Sequence, residues 1–209
     1  MALLDPETLS PPYRLALAYA PARARDASAA LLCLDERLAR IGDRPVEPIV
    51  HQIRLAWWRD QFLQPAELWA KGEPLLAALG ECGFQSDALV ALVDGWEAML
   101  VAEPIDAAAV GQLARGRAMV WQCLARSFGK EGSDGEIRQA CSRWSAADAW
   151  AWGGKETDLT VGPDRRLPRV LRSLTVIDAL AGRSLRLQRP MLDGPAAMVL
   201  AVRTGIFGR

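Results

Sequence analysis

Apolar residues recur at intervals of three and four along most of the chain, and no segment alternates apolar and polar residues as a strand does. The segment from Pro21 to Ile41 shows this most clearly, and Gly42 ends it. Its apolar positions are Ala27, Ala30, Leu31, Leu34, Leu38 and Ile41. The pattern predicts an all-α fold, and 209 residues are enough for one domain, residues 1–209, with a sizeable core.

Proline and glycine separate the periodic segments and indicate where the helices begin and end. Pro21 and Pro65 stand at predicted helix starts, where a missing backbone N–H is tolerated. The segment from Gly129 to Gly135 is the clearest loop, and residues 155–168 are polar and irregular. The predicted helices cover approximately residues 13–19, 21–41, 48–60, 65–79, 86–100, 104–128, 137–152, 170–187 and 196–207.

The charges balance over the whole chain but not at its C-terminal end. Lys plus Arg and Asp plus Glu are 25 each, so bulk charge gives no reason to expect nucleic-acid binding. From Arg165 onward there are nine arginines and only two acids, Asp178 and Asp193. This basic C-terminal region is either a solvated helix face or a surface for phosphate or anionic lipid, that is, for peripheral membrane contact.

No leader or membrane-spanning segment is evident in the sequence. The N-terminus lacks a basic stretch followed by an apolar run, and no run of about 18 uninterrupted apolar residues occurs. We therefore expect a cytoplasmic protein, with membrane-peripheral binding left open by the basic C-terminal region.

Residue types that commonly hold metals or carry out catalysis are sparse. His51 is the only histidine and no Cys-x-x-Cys occurs, so neither a zinc site nor a Ser-His-Asp triad is expected. Two carboxylate pairs stand close together, Asp94 with Glu97 and Asp35 with Glu36. Such a pair can bind magnesium, but arginine partners are the more common arrangement. We predict no catalytic residue, no metal ligand and no cofactor from these patterns.

The segment from Pro48 to Asp60 contains two adjacent tryptophans. Ile49, Ile53 and Trp57 recur every four residues and predict the stripe that faces the core. Adjacent residues on a helix point about 100° apart, so Trp58 is predicted to face something else.

Trp58 shares its predicted face with Arg54, four residues before it, and Arg59 directly follows it. Two interpretations remain open: both indoles belong to the core, or Arg54, Trp58 and Arg59 line a cavity or interface that binds a ligand or partner. An arginine beside an indole can hold an anionic group while the indole contacts apolar matter.

Several segments, taken in order, resemble those of squalene and phytoene synthases. The resemblance extends from roughly Pro12 to Leu187 and implies an isoprenoid-synthase-type helical bundle, here shortened. The matching segments are Pro21–Leu32, Gln52–Arg59 with its Trp-Trp-Arg, Leu92–Glu97, and Ala114–Ala118 with Leu124–Arg126.

The departures from that family concern its metal ligands. The resemblance implies two aspartate-rich motifs on facing helices, which hold the magnesium ions that grip prenyl diphosphates. Aligned with the first motif, this chain has Ala39 and Arg40, with only Asp43 nearby. In the region of the second it has Asp148 and then Asp158. The alignment therefore predicts that the metal-binding motifs have been lost.

Two functions follow from a resemblance of this kind. In the first, the chain is a catalytically degenerate relative that binds an apolar lipid or isoprenoid, a protein partner, or both. It would then resemble the family's mitochondrial complex I assembly factor, whose aspartate motifs are also eroded. In the second, it is an active prenyltransferase of isoprenoid or carotenoid biosynthesis with a reduced Mg²⁺ site. We expect the first, and the carboxylates that face the cavity distinguish the two.

Overall fold

The computed structural model describes residues 6–42, 48–154 and 166–208. Within these ranges the chain forms nine α-helices and no strand, which confirms the all-α prediction. None of the described helices is long and apolar enough to cross a membrane. The helices are α1 (Pro11–Ala18), α2 (Ala22–Gly42), α3 (Pro48–Phe62), α4 (Pro74–Cys82), α5 (Ser86–Val101), α6 (Ala107–Arg126), α7 (Asp134–Ala151), α8 (Arg172–Leu187) and α9 (Gly194–Phe207).

The helices α5 and α6 pack backbone to backbone at the centre of the bundle. Gly116 of α6 lies against the carbonyl of Ala91, and a Cβ added there would collide with it. A Cβ on Gly95 of α5 would lie 2.7 Å from the Cα of Leu113. Because neither glycine has a side chain, the two helices approach closely at this crossing. The next residues in sequence, Trp96 and Arg117, are both fully buried.

The remaining helices surround this pair. α7 packs on α6, α8 packs on both α7 and α1, and α9 lies on α8. On the other side α3 packs on α5, while α2 contacts α3, α4 and α5.

The predicted helix at 65–79 is wrong in its extent. The structure has a short 3-10 turn at Ala66–Leu68 and then a separate helix, α4. Gly72, between the two, adopts a positive φ of 99°, and this change of backbone direction separates the 3-10 turn from α4. Glu73 then caps α4 by accepting a hydrogen bond from the backbone N–H of Leu75.

The predicted core stripe of α3 is also wrong. Ile49 and Ile53 are 54% and 62% exposed, whereas Leu55 and Phe62 are buried. Trp58 is only 5% exposed and therefore faces the core rather than away from it.

Two contacts orient α3 in this way. The ring of Phe62 packs against the ring of Trp69, which follows the helix, with centroids 5.5 Å apart. Arg59 reaches across to α5, where it forms ion pairs with Asp94 at 2.7 Å and with Glu97. This confirms the prediction that the carboxylates of Asp94 and Glu97 form ion pairs with an arginine.

Candidate functional site

A buried carboxylate, Asp35 of α2, lies at the centre of the bundle. It accepts hydrogen bonds from the indole N–H of Trp96 at 3.1 Å and from the hydroxyl of Tyr13 at 3.2 Å. Arg117 donates to both of its oxygens, from Nε at 2.9 Å and from Nη2 at 2.8 Å. Asp35 thus forms a bidentate ion pair with Arg117 and accepts hydrogen bonds from two neutral donors. This is the hydrogen bonding that a buried charge requires.

Arg117 joins that carboxylate to a second one on a facing helix. Its Nη2 also donates to Asp148 of α7 at 2.6 Å, and its Nη1 donates to Ser145 at 3.2 Å. The guanidinium carbon lies 3.9 Å from the ring centroid of Trp144 and 5.1 Å from that of Trp96, within cation–π range. We call Tyr13, Asp35, Trp96, Arg117, Trp144, Ser145 and Asp148 the central network.

The charges of the central network do not balance. One guanidinium faces two carboxylates. Burial alone would lower the pKa of Arg117, but Asp35 and Asp148 outweigh it and raise that pKa, so the guanidinium stays charged. Burial raises the pKa of Asp148 to about 6, because lost solvation and the second carboxylate outweigh the attraction of Arg117.

We expect the contribution of Asp148 to stability to fall as the pH rises. Its ordinary pKa is 3.8 and its folded pKa is about 6, so between these values the folded state retains a proton that the unfolded state has released. Urea denaturation at several pH values should show the wild-type protein losing about 1–3 kcal/mol relative to Asp148→Asn across that window. An advantage of the wild-type protein that grows with pH would mean that Asp148 is an ordinary anionic ion-pair partner.

A groove of about 660 Å³ lies between α2, α3 and the start of α4, and no residue of the central network lines it. This volume suits a ligand of small-molecule or lipid size. Its apolar wall includes both tryptophans of α3, and its polar rim carries three arginines and two glutamates. The lining residues are Thr8, Leu9, Cys33, Glu36, Arg37, Arg40, Ile41, Arg54, Trp57, Trp58, Glu73, Pro74 and Leu75.

The charged side chains of the groove are mostly paired with one another. Arg40 pairs with Glu36 at 3.2 Å, and Arg37 pairs with Glu73 at 3.8 Å. Arg54 is half-buried and forms no hydrogen bond or ion pair with any residue that the structure describes. The groove therefore combines an apolar wall with one cation whose hydrogen-bonding groups remain available.

The three site residues predicted from the sequence separate in the structure. Arg54 and Trp58 both line the groove, although Trp58 does so as a buried residue rather than an outward-facing one. Arg59 does not line the groove, since its side chain is held by Asp94 and Glu97 of α5. Trp57, predicted as core, is 39% exposed and joins the lining. Whether these residues bind a ligand stays a prediction.

A magnesium site of the kind that the resemblance implies does not fit the residues present. The positions aligned with the first motif are a half-buried alanine, Ala39, and Arg40, whose guanidinium contacts Glu36 and the backbone of Thr8. Where carboxylates of α2 and α7 do face each other, the guanidinium of Arg117 stands between them. Within the described ranges, no group of three or more His, Cys, Asp or Glu side chains is arranged to hold a metal ion. Asp43 and Asp158 lie outside those ranges.

The sequence model of the family described as Squalene/phytoene synthase matches residues 9–143, well over half of the 209 residues. The chain therefore belongs to the squalene/phytoene synthase family, and its all-α structure is consistent with the isoprenoid synthase helical fold. No curated protein and no solved structure matches it significantly. The match includes Asp35 and Arg117 and ends before Asp148.

Arg117 was not among the site residues predicted from the sequence, although the sequence contains a signal for it. It falls on the apolar stripe of α6, where the buried side chains three and four residues away are Leu113, Ala114, Val120 and Trp121. A single charge at such a position must be paired inside the protein.

Proposed function

We propose that this chain is a catalytically degenerate member of the squalene/phytoene synthase family that binds an apolar lipid or isoprenoid and acts as a binding or assembly module. The single observation that carries this proposal is the position of Arg117, between Asp35 and Asp148. In the family's chemistry, facing carboxylates hold cations that stabilise a departing diphosphate. Here the two carboxylates that face each other across the bundle, Asp35 and Asp148, hold a guanidinium that belongs to the protein itself.

Arg117 is poorly suited to replace the metal in catalysis. Its Nε and Nη2 donate to Asp35, its Nη2 also donates to Asp148, and its Nη1 donates to Ser145, so nearly all of its donor groups are engaged. Its side chain is fully buried, with the rings of Trp96 and Trp144 over it. A diphosphate would have to break these contacts before it could reach the cation.

The groove supports the binding half of the proposal. A ligand with an apolar body would lie against Trp57 and Trp58, and its polar head would accept hydrogen bonds from Arg54. The two other arginines of the rim, Arg37 and Arg40, already face glutamates. One available cation fits a head group with little charge better than it fits a diphosphate with its metal ions.

The outer surface of α3 supports the assembly half of the proposal. Ile49 and Ile53 are more than half exposed, and Trp57 continues their row at the rim of the groove. An exposed apolar row beside a ligand groove suits contact with a partner protein. Together with the eroded aspartate motifs, this row favours a role like that of the complex I assembly factor branch over that of an active synthase.

A binding experiment tests the groove directly. Titration with an intrinsically fluorescent polyene fatty acid should show saturable binding to the wild-type protein. Arg54→Ala should weaken it by about 10- to 100-fold, because a hydrogen bond to a charged group is lost. Arg115→Ala, which removes an exposed arginine of α6 outside the groove, is the matched control and should leave binding unchanged.

An activity experiment separates the proposal from its alternative. The unmodified protein, incubated with farnesyl or geranylgeranyl diphosphate and Mg²⁺, should form no condensation product. Product formation would support the active prenyltransferase with a reduced metal site and would overturn the degenerate assignment. Lipid extraction and mass spectrometry of the purified protein would identify the natural ligand class.

A further inference from the structure

The helix α9 presents its large side chains outward and its small ones inward. The buried positions are Ala197, Ala201, Thr204 and Gly205. The ring of Tyr19 lies on Gly205 so closely that a Cβ would not fit. A surface helix ordinarily buries its large apolar side chains, so this arrangement is the reverse of the usual one.

We call the opposite side of this helix the α9 outer face. Its large side chains range from 36% to 67% exposed, and they are Met198, Val199, Val202, Ile206 and Phe207. At 100° per residue these positions cover about half of the helix circumference, over roughly 15 Å of its length. Because they are contiguous, they form a patch rather than scattered single exposures.

The charges on this face and at its C-terminal end, among the residues that the structure describes, are positive. Arg203, which lies within the arc of the face, is the only charged residue in Gly194–Phe207. Arg172 lies against Gly208 at the C-terminal end of the helix. Arg169 stands three residues before Arg172 in the sequence. Burial, and then the cation of Arg169, lower the pKa of Arg172.

These arginines have no acidic partner within the described ranges. The two acids of the C-terminal region are already engaged: Asp178 is held by Arg143 of α7, and Asp193 pairs with Arg189 at 3.3 Å. A surface that complements the α9 outer face in both respects therefore requires negative charge next to apolar matter.

We propose that the α9 outer face docks on an anionic lipid membrane, with its apolar side chains entering the boundary between head groups and acyl chains. Arg169, Arg172 and Arg203 would contact lipid phosphates. A membrane supplies both required features in one continuous surface. A second copy presents no negative charge from its own α9 outer face, whose one charged residue is Arg203.

Vesicle flotation tests this proposal. The full chain should float with vesicles of phosphatidylcholine mixed with phosphatidylglycerol, should bind vesicles of phosphatidylcholine alone much more weakly, and should be released by salt. Arg203→Gln should weaken binding to the mixed vesicles about fivefold, the loss expected for one arginine near an anionic surface.

A pair of matched variants controls for nonspecific effects. Ile206→Glu, at a side chain 58% exposed, should abolish flotation, whereas Val101→Glu, at one 61% exposed on α5, should not. Arg54→Ala should leave flotation unchanged, so failure here is distinguishable from failure of the groove proposal.

Three outcomes would overturn the membrane proposal. The first is equal binding to both kinds of vesicle, and the second is no binding to either. The third is self-association in light scattering that Ile206→Glu removes, since this would make a second copy the occupant of the face.

Discussion

Replacing Arg117 with methionine is expected to reduce the free energy of unfolding by about 3–5 kcal/mol, a large part of the total for a domain of ordinary stability. The variant keeps a long side chain but removes the cation. Asp35 and Asp148 would then remain at the bundle centre with no positive charge between them. Chemical denaturation followed by circular dichroism measures the loss.

The matched control for this variant is Arg59→Met. Arg59 also pairs with two carboxylates, Asp94 and Glu97, but its side chain is 27% exposed and theirs are 38% and 33% exposed. Solvent screens such pairs, so this change should lower stability by about 1 kcal/mol or less. Equal losses from the two variants would show that the central network is not the ionic centre of the fold.

A combined variant tests the cause of the loss. Adding Asp35→Asn and Asp148→Asn to Arg117→Met removes the two unpaired charges and should recover part of the lost stability, on the order of 1–2 kcal/mol. No recovery would attribute the effect to packing against Trp96 and Trp144 instead.

The second large effect is expected at Trp58. Its side chain is 5% exposed and contacts the rings of Phe62 and Trp57, with centroids 5.8 Å and 4.9 Å away. Trp58→Ala should therefore lower the free energy of unfolding by about 3–5 kcal/mol through lost burial and the cavity left behind.

Trp57→Ala provides the comparison within the same helix. Trp57 is 39% exposed, and its loss should lower stability by about 1 kcal/mol. Urea denaturation of the two variants side by side measures the difference. Equal, large losses would mean that Trp57 is as much a part of the core as its neighbour.

The helices were predictable because helical periodicity is local. The segment from Ala22 to Gly42 reveals its buried face within a few turns, and proline and glycine mark most boundaries. The face of α3 was not predictable in this way, since Ile49–Ile53–Trp57 and Leu55–Trp58–Phe62 are both apolar at helical spacing. Only the contacts with α5 and Trp69 decide between them.

The candidate site was predicted less well than the fold. Arg54 and Trp58 do line a groove, but the central network joins residues that are far apart in sequence. Arg117 is 82 residues from Asp35 and 31 from Asp148. A single sequence carries no record of such pairings, and the signal that it does contain for Arg117, a charge on an apolar stripe, was not used. That the chain forms one domain over residues 1–209 remains a prediction.

A cation that belongs to the polypeptide differs from a dissolved one in a simple respect: it cannot dissociate. A bound metal ion exchanges with the surrounding solution, so its occupancy follows the free ion concentration. Arg117 is present at the centre of the bundle whenever the chain is folded, in a fixed ratio of one to one. The link between α2 and α7 through Asp35 and Asp148 is therefore insensitive to chelators and to the supply of divalent ions.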